Sequence, residues 1–90
     1  MNEKNSYIIS YDLAGEGDYS TLIDQIKSYG LWAHVTESTW VVVSCKTATE
    51  LRDELRALLT EGSRLLVVKS ANVAAWSNTL CSNGWLKDNI

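Results

Sequence analysis

The sequence predicts an α+β domain of ferredoxin-like topology, with the element order βαββαβ. Three observations lead to this prediction. Four short runs are rich in β-branched and aromatic residues, which is typical of strands. Two segments between them carry apolar residues at helical spacing. Glycines follow both helical segments, where the chain must reverse. We therefore expect a four-stranded antiparallel sheet with two amphipathic helices on one face.

The first strand, residues 6–12, is the segment around which the other elements are arranged. It is almost wholly apolar and ends on Asp12. Side chains alternate between the faces of a strand, so Ile9 and Tyr11 share one face while Asp12 lies on the other. A carboxylate at the end of a central strand lies at the rim of the sheet, where ligands commonly dock. Residues 1–5 are polar, and we expect them to be frayed.

The first helix follows a loop that contains two glycines. Asp18 or Ser20 is expected to cap its amino end. Gly30 is expected to end it in a left-handed conformation. The residues predicted to face the core are Tyr19, Leu22, Ile23, Ile26 and Tyr29.

The next two strands, residues 31–36 and 39–45, turn at Glu37 and Ser38. The second contains a tryptophan followed by three valines, which is typical of an interior strand. The first alternates, with Trp32, His34 and Thr36 on one side and Leu31, Ala33 and Val35 on the other.

The second helix begins with a capping box, in which Glu50 follows Thr47 by three residues. Gly62 is expected to end this helix, and a fourth strand covers residues 65–70. The predicted buried stripe consists of Ala48, Leu51, Leu55, Leu58 and Leu59.

The helices leave the second face of the sheet bare, and this predicts a homo-oligomer in which a second copy covers that face. Residues 71–90 form a tail that contains two tryptophans and two leucines. Such a tail is too apolar to remain in solvent. We expect it to pack on its own sheet or on a neighbouring subunit.

Length and charge limit the possible functions. Ninety residues suit a single domain, residues 1–90. The formal net charge is −3 and the cations are scattered singly, which argues against binding of long nucleic acids. A small anionic ligand needs only backbone amides and one or two arginines. The sequence has no leader and no apolar run of about 18 residues, so we expect a cytoplasmic protein with no membrane partner.

The two cysteines, Cys45 and Cys81, lack the CxxC spacing of metal and redox sites. Cys45 ends a strand-like run, which predicts a buried small apolar residue rather than half of a disulfide.

Eight short stretches between Tyr7 and Leu86 form a pattern: Tyr11-Asp12-Leu13, Gly17-Asp18-Tyr19, Tyr29-Gly30, His34, Ser38-Thr39-Trp40, Arg52-Asp53, Leu65 to Val68, and Ala75-Trp76. The pattern resembles the small SinR-like proteins, which are distant relatives of the ferredoxin-like endonuclease subunit of CRISPR adaptation. Phage members of this group resemble the anti-CBASS sponges. The resemblance implies a viral immune-evasion protein that oligomerises and sequesters a cyclic dinucleotide or related signal without cleaving it.

Asp12 has two interpretations. The resemblance to the CRISPR subunit implies that Asp12, paired across a dimer, holds Mg²⁺ for phosphodiester cleavage. The sequence supplies one carboxylate per chain at that rim, unless Glu16 or Asp18 joins it. The alternative is an Asp that caps the following turn through loop amides.

The aromatic residues suggest stacking on a base. Tyr11 lies at the rim, and Trp32 and Trp76 are the preferred tryptophans. Trp40 lies in a valine run, and we expect it to be core. The alternative for each of the others is ordinary core or interface packing.

Polar candidates complete the predicted site. Ser38 and Thr39 offer hydroxyls and turn amides to phosphate oxygens, or form a plain β-turn. Arg64 follows a loop and is a candidate cation, or is merely solvated. His34 contacts a phosphate or a base edge, or is a hydrogen-bonded structural residue.

The absence of catalytic motifs favours binding over turnover. No Walker loop, nucleophile elbow, GxGxxG, HExxH or CxxC pattern is present in the sequence. The leading hypothesis is therefore a homo-oligomeric protein, not an enzyme and without a cofactor, that captures a small cyclic nucleotide between subunits. The rival hypotheses are a Mg²⁺-dependent endonuclease that uses Asp12 and a structural interaction module without a ligand.

Overall fold

The computed structural model describes residues 3–15 and 19–90, and the predicted βαββαβ order is confirmed. None of the helices in these ranges has the length and apolar character that a membrane crossing requires. The elements are β1 (Asn5–Asp12), α1 (Ser20–Lys27), β2 (Leu31–Thr36), β3 (Thr39–Ser44), α2 (Ala48–Arg56), β4 (Arg64–Lys69) and α3 (Asn83–Asn89).

The four strands form one antiparallel sheet in the order β2-β3-β1-β4. The interior strands are β1 and β3, as their apolar runs predict. Ile9 lies opposite Trp40 on one side and Val67 on the other, so these three side chains share a face. Helices α1 and α2 cover this side, which we call the helix face. Its buried core consists of Tyr7, Ile9, Leu22, Ile26, Trp40, Val42, Leu51 and Leu55.

Helix α1 differs from the prediction at both ends. It begins at Ser20, and its N-cap is Tyr19, which makes no side-chain capping bond. Asp18, the other predicted cap, lies outside the described residues. The helix ends at Lys27 with Ser28 as C-cap, and Gly30 follows with a φ of 106°. Gly30 therefore serves the turn into β2 rather than the helix cap.

Helix α2 begins with the predicted capping box, in which Thr47 and Glu50 bond each other's backbone amides. It ends at Arg56, six residues before Gly62. The amides of Leu58 and Leu59 bond carbonyls three residues back rather than four, so the chain tightens after Arg56 and the predicted buried stripe is interrupted at Leu58, while Leu59 still packs against the core. Leu58 is consequently exposed.

The tail packs on the second face of its own sheet, which we call the tail face. The amide of Leu80 donates to the carbonyl of Val35 at 2.9 Å, beside the β2 edge. The hydroxyl of Ser6 donates to the carbonyl of Asn89. The apolar cluster on the tail face has Val35, Val41 and Leu86 buried at its centre. The residues that pack against them are Ile8, Trp76, Cys81, Trp85 and Ile90.

The tail thus covers much of the face that was expected to be bare. On β4, Leu66 and Val68 remain 58% and 41% exposed. A second copy would therefore cover the strip along β4 rather than a whole face of the sheet.

Two finer predictions fail for local reasons. Cys45 is exposed, because β3 ends at Ser44 and the buried position falls on that serine instead. The alternation predicted for β2 holds for Trp32 and His34 on the helix face and for Ala33 and Val35 on the tail face, and a bulge between His34 and Thr36 interrupts it only at Thr36.

Candidate functional site

A cleft of about 410 Å³ opens at the rim where β1 ends. It brings together three of the predicted site residues, Tyr11, Asp12 and Ser38. The amide of Tyr11 donates to the carbonyl of Ser38 at 3.1 Å, which fixes the β2–β3 turn against the end of β1. We call this the rim cleft, and its lining is Tyr11, Asp12, Leu13, Tyr19, Ile23, Glu37 and Ser38.

Asp12 and Arg64 face each other across the β1–β4 pair. Arg64 Nη1 lies 2.9 Å from Asp12 Oδ2, and the two side chains are 81% and 72% exposed. An ion pair this exposed contributes little to stability. It does, however, engage the Asp12 carboxylate, so a metal ion would compete with a guanidinium already in place.

Metal ligands are sparse in the described part of the chain. Residues 3–15 and 19–90 contain no group of three or more His, Cys, Asp or Glu side chains that could hold a metal ion. Glu16 and Asp18, which were considered as additional carboxylates beside Asp12, lie outside the described residues.

A second group of candidates lies on the helix face at the β2 edge, and we call it the tryptophan cluster: Lys27, Trp32, His34 and Trp40. The rings of Trp32 and Trp40 are 5.5 Å apart and tilted by 54°. The ring of His34 stacks on Trp40 at 4.2 Å. The ammonium of Lys27 lies 4.9 Å from the centre of the Trp32 ring, in the range of a cation–π contact.

Trp40 connects the tryptophan cluster to the rim cleft. Its Nε1 donates to the hydroxyl of Tyr11 at 3.0 Å. Trp40 is buried, so it belongs to the core as the valine run predicted, whereas Trp32 is 39% exposed. A continuous row of aromatic side chains therefore runs from the rim to a solvent-exposed indole.

His34 has a structural role in this row. Besides stacking on Trp40, its Nε2 lies 3.0 Å from the carbonyl of Glu37, and this contact is a hydrogen bond when Nε2 carries the proton. The second interpretation of His34, contact with a phosphate or base, stays a prediction.

Trp76 and Thr39 are the two remaining predicted site residues. Trp76 packs on the tail face, where its Nε1 donates to Asn83 Oδ1 at 3.1 Å. Because Trp32 is on the helix face, the two indoles of one chain lie on opposite faces of the sheet. Thr39 begins β3 between Ser10 and Thr36 on the neighbouring strands.

Lys27 was not among the predicted site residues. The short connection between α1 and β2 could have indicated its place. Because α1 ends at Lys27 and β2 begins at Leu31, the last helical turn lies close to the start of the edge strand. Tyr19 and Glu37 also line the rim cleft, and their places depend on loop conformations that no sequence pattern specifies.

The fold defines a class, the small ferredoxin-like α+β proteins. The chain is similar to the crystal structure of a hypothetical protein, TT1823, from Thermus thermophilus, with a TM-score of 0.65 and 24% identity over 88% of this chain and 98% of that one. At this identity the likeness extends to the fold alone. No protein-family model and no curated protein matches the sequence.

Proposed function

We propose that this protein is a homo-oligomeric, cytoplasmic binding protein that captures a small cyclic nucleotide without cleaving it. The observation that carries the proposal is the exposed indole of Trp32 at the end of the aromatic row, with the ammonium of Lys27 over its ring. A base stacks on Trp32, and Lys27 leaves the ring to meet a phosphate. Its long, flexible stem permits this movement.

The charge distribution favours this placement over the rim cleft for the phosphates. Asp12 and Glu37 line the rim cleft and repel an anion there. The other members of the tryptophan cluster are aromatic rings, and within residues 3–15 and 19–90 Lys27 forms no ion pair. Arg64 offers a second cation at the rim, where it is shared with Asp12.

The resemblance to SinR-like anti-CBASS proteins supports a role in immune evasion, in which the protein lowers the free concentration of a signal by mass action. Such a protein must bind tightly and be abundant. Sequestration without cleavage accords with the engagement of Asp12 by Arg64, because Asp12 is the residue on which the nuclease hypothesis places the metal ion.

Calorimetric titration with a panel of cyclic dinucleotides and cyclic trinucleotides tests the proposal. Stacking of a base on an aromatic ring is worth roughly 1–3 kcal/mol, so Trp32→Ala should weaken binding by about 5- to 150-fold. Trp76→Ala is the matched control, since it removes an indole from the opposite face. If Trp76→Ala weakens binding and Trp32→Ala does not, the site is on the tail face and our placement is wrong.

Recovery of the ligand separates the rival functions. The complex is heated and the released nucleotide is analysed by chromatography. Intact ligand in near-stoichiometric yield supports sequestration. Linear products that require Mg²⁺ and disappear in Asp12→Ala establish the nuclease instead. Absence of binding to every nucleotide in the panel leaves a structural module.

A further inference from the structure

The two edges of the sheet are protected very differently. An open strand edge presents unpaired N–H and C=O groups to any other strand. At the β2 edge, a bulge follows His34, and the tail bonds Val35 through the amide of Leu80. At the β4 edge, the pairing with β1 runs without a register shift, and in residues 3–15 and 19–90 β4 pairs with no strand other than β1.

The backbone groups at this open edge can be assigned from one hydrogen bond. The amide of Ser70 donates to the carbonyl of Ser6 at 2.8 Å, so Ser70 faces β1. Successive residues of a strand alternate in direction, and those an odd number of positions away therefore face outward. Leu65, Val67 and Lys69 thus direct their N–H and C=O groups away from the sheet.

The side chains of β4 determine which strand fits there. Residues 65–68 are four consecutive apolar residues, with Leu65 and Val67 against the helix-face core and Leu66 and Val68 exposed on the tail face. A strand added at this edge meets apolar side chains on both faces. It must itself be apolar on both faces, and β4 is such a strand.

We propose that two copies of this chain associate edge to edge through antiparallel pairing of β4 with β4, forming a continuous eight-stranded sheet. This inference rests on the self-association that the proposed function includes, and not on the ligand. It places the contact along the edge of β4, rather than over the face that the tail covers.

Hydrogen bonding and apolar contact together select the register. Outward residues must face outward residues, and pairing Val67 with the partner's Val67 meets this condition. Leu66 then lies opposite the partner's Val68, and Val68 lies opposite the partner's Leu66. The exposed apolar side chains therefore cover one another at two symmetric positions.

In the same register the cations are kept apart. Arg64 lies opposite the partner's Ser70, and Lys69 lies opposite the partner's Leu65. Like charges placed directly opposite each other destabilise a strand pair.

The partner copy also completes a pocket. A depression of about 170 Å³ beside β4 is lined by Ser10, Tyr11, Asp12, Arg64, Leu65 and Leu66. The partner's Ser70, opposite Arg64, forms part of its open side. Asp12 pairs with Arg64, and the partner's Arg64 lies opposite Ser70, six positions further along β4. The two Asp12 carboxylates therefore lie about 20 Å apart along the strand direction. This dimer does not bring them to one metal ion.

The size of the interface predicts a weak, concentration-dependent dimer. A standard stable interface buries about 800 Å² per partner. The chain exposes 5909 Å² in all, and a single six-residue strand supplies only a small part of that surface. The association should therefore be measured over a wide range of protein concentration.

Sedimentation velocity without nucleotide tests the proposal. Leu66→Lys places an ammonium against the partner's Val68 at two symmetric points, and we expect it to raise the dimer dissociation constant at least tenfold. Leu31→Lys is the matched control, because Leu31 is 53% exposed on the opposite edge. Circular dichroism checks that both variants fold. A native protein that is monomeric at its highest soluble concentration overturns the proposal, as does a dimer that Leu66→Lys leaves intact.

A cysteine pair tests the register. Positions 66 and 68 of opposite subunits form a non-hydrogen-bonded pair, with Cα atoms about 4.5 Å apart, within the range of a disulfide. A mixture of Leu66→Cys and Val68→Cys proteins should therefore give a 66–68 disulfide, identified by mass spectrometry. A dimeric protein without this cross-link has a different interface. Nucleotide titration of Leu66→Lys, measured separately, distinguishes loss of this interface from failure of the proposed function.

Discussion

Replacement of Leu86 by alanine should show that the tail is part of the folded unit. Leu86 is completely buried on the tail face, against Val35 and Val41. Truncation of a fully buried leucine costs about 2–5 kcal/mol. Small domains have total stabilities of about 5–15 kcal/mol, so this loss is a large share. Helix propensity does not offset it in full, because alanine exceeds leucine by only a fraction of 1 kcal/mol.

Urea unfolding followed by tryptophan fluorescence measures this loss, and thermal unfolding gives a second readout. A loss of 1 kcal/mol lowers the melting temperature by about 4–8 °C in a domain of this size, so Leu86→Ala should lower it by at least about 8 °C. The matched control is Leu80→Ala, the same substitution in the same tail at a side chain that is 67% exposed. It should change stability by less than about 0.5 kcal/mol.

The comparison refutes our reasoning if the two variants are equally stable, because a docked tail must distinguish a buried leucine from an exposed one. Concentration provides a further check. The contacts of Leu86 lie within one chain, so the difference between the variants should not change with protein concentration. A difference that grows on concentrating the protein would mean that the tail docks on a neighbouring subunit.

Two further predictions concern the helices. Thr47→Ala removes the side-chain bond to the amide of Glu50 and should lower the free energy of unfolding by about 1 kcal/mol in urea titrations, with Thr47→Ser largely restoring it. Burial raises the pKa of Tyr29 to about 12, a shift that Gln25 opposes and Glu54 reinforces. Because the folded state holds this proton more tightly than the unfolded state, stability is fully present below pH 10 and falls between about pH 10 and 12. Tyr29→Phe should flatten the fall in stability over this pH range, and an unchanged slope would contradict the assignment.

The sheet could be predicted because its signals are local. The run of valines after Trp40 requires burial on both sides, and only an interior strand provides it. The capping box at Thr47 fixes where α2 begins. Helix ends were less predictable, because Gly30 and Gly62 mark the following turns, whose positive φ angles need glycine, rather than the last helical residues.

The tail helix was missed because its signal is short. Ser82 caps α3 and accepts a bond from the amide of Trp85. An isolated helix of seven residues is not stable alone, so α3 exists through its packing on the tail face. Sequence showed that the tail had to be buried. It could not show where, since the receiving surface is assembled from β1, β2 and β3.

The candidate site likewise contains residues that the sequence could place and residues whose positions depend on tertiary packing. Asp12, Tyr11 and Ser38 could be placed together because strand ends and tight turns meet at a sheet rim. Lys27 and Trp32 meet through the packing of a helix on an edge strand, and the separation of Trp32 from Trp76 follows from the path of the tail. Within one chain, Trp32 and Trp76 therefore lie on opposite faces of the sheet. The β4 edge proposed for self-association and the tryptophan cluster at β2 lie at opposite edges of the sheet, so Leu66→Lys and Trp32→Ala test self-association and ligand capture separately.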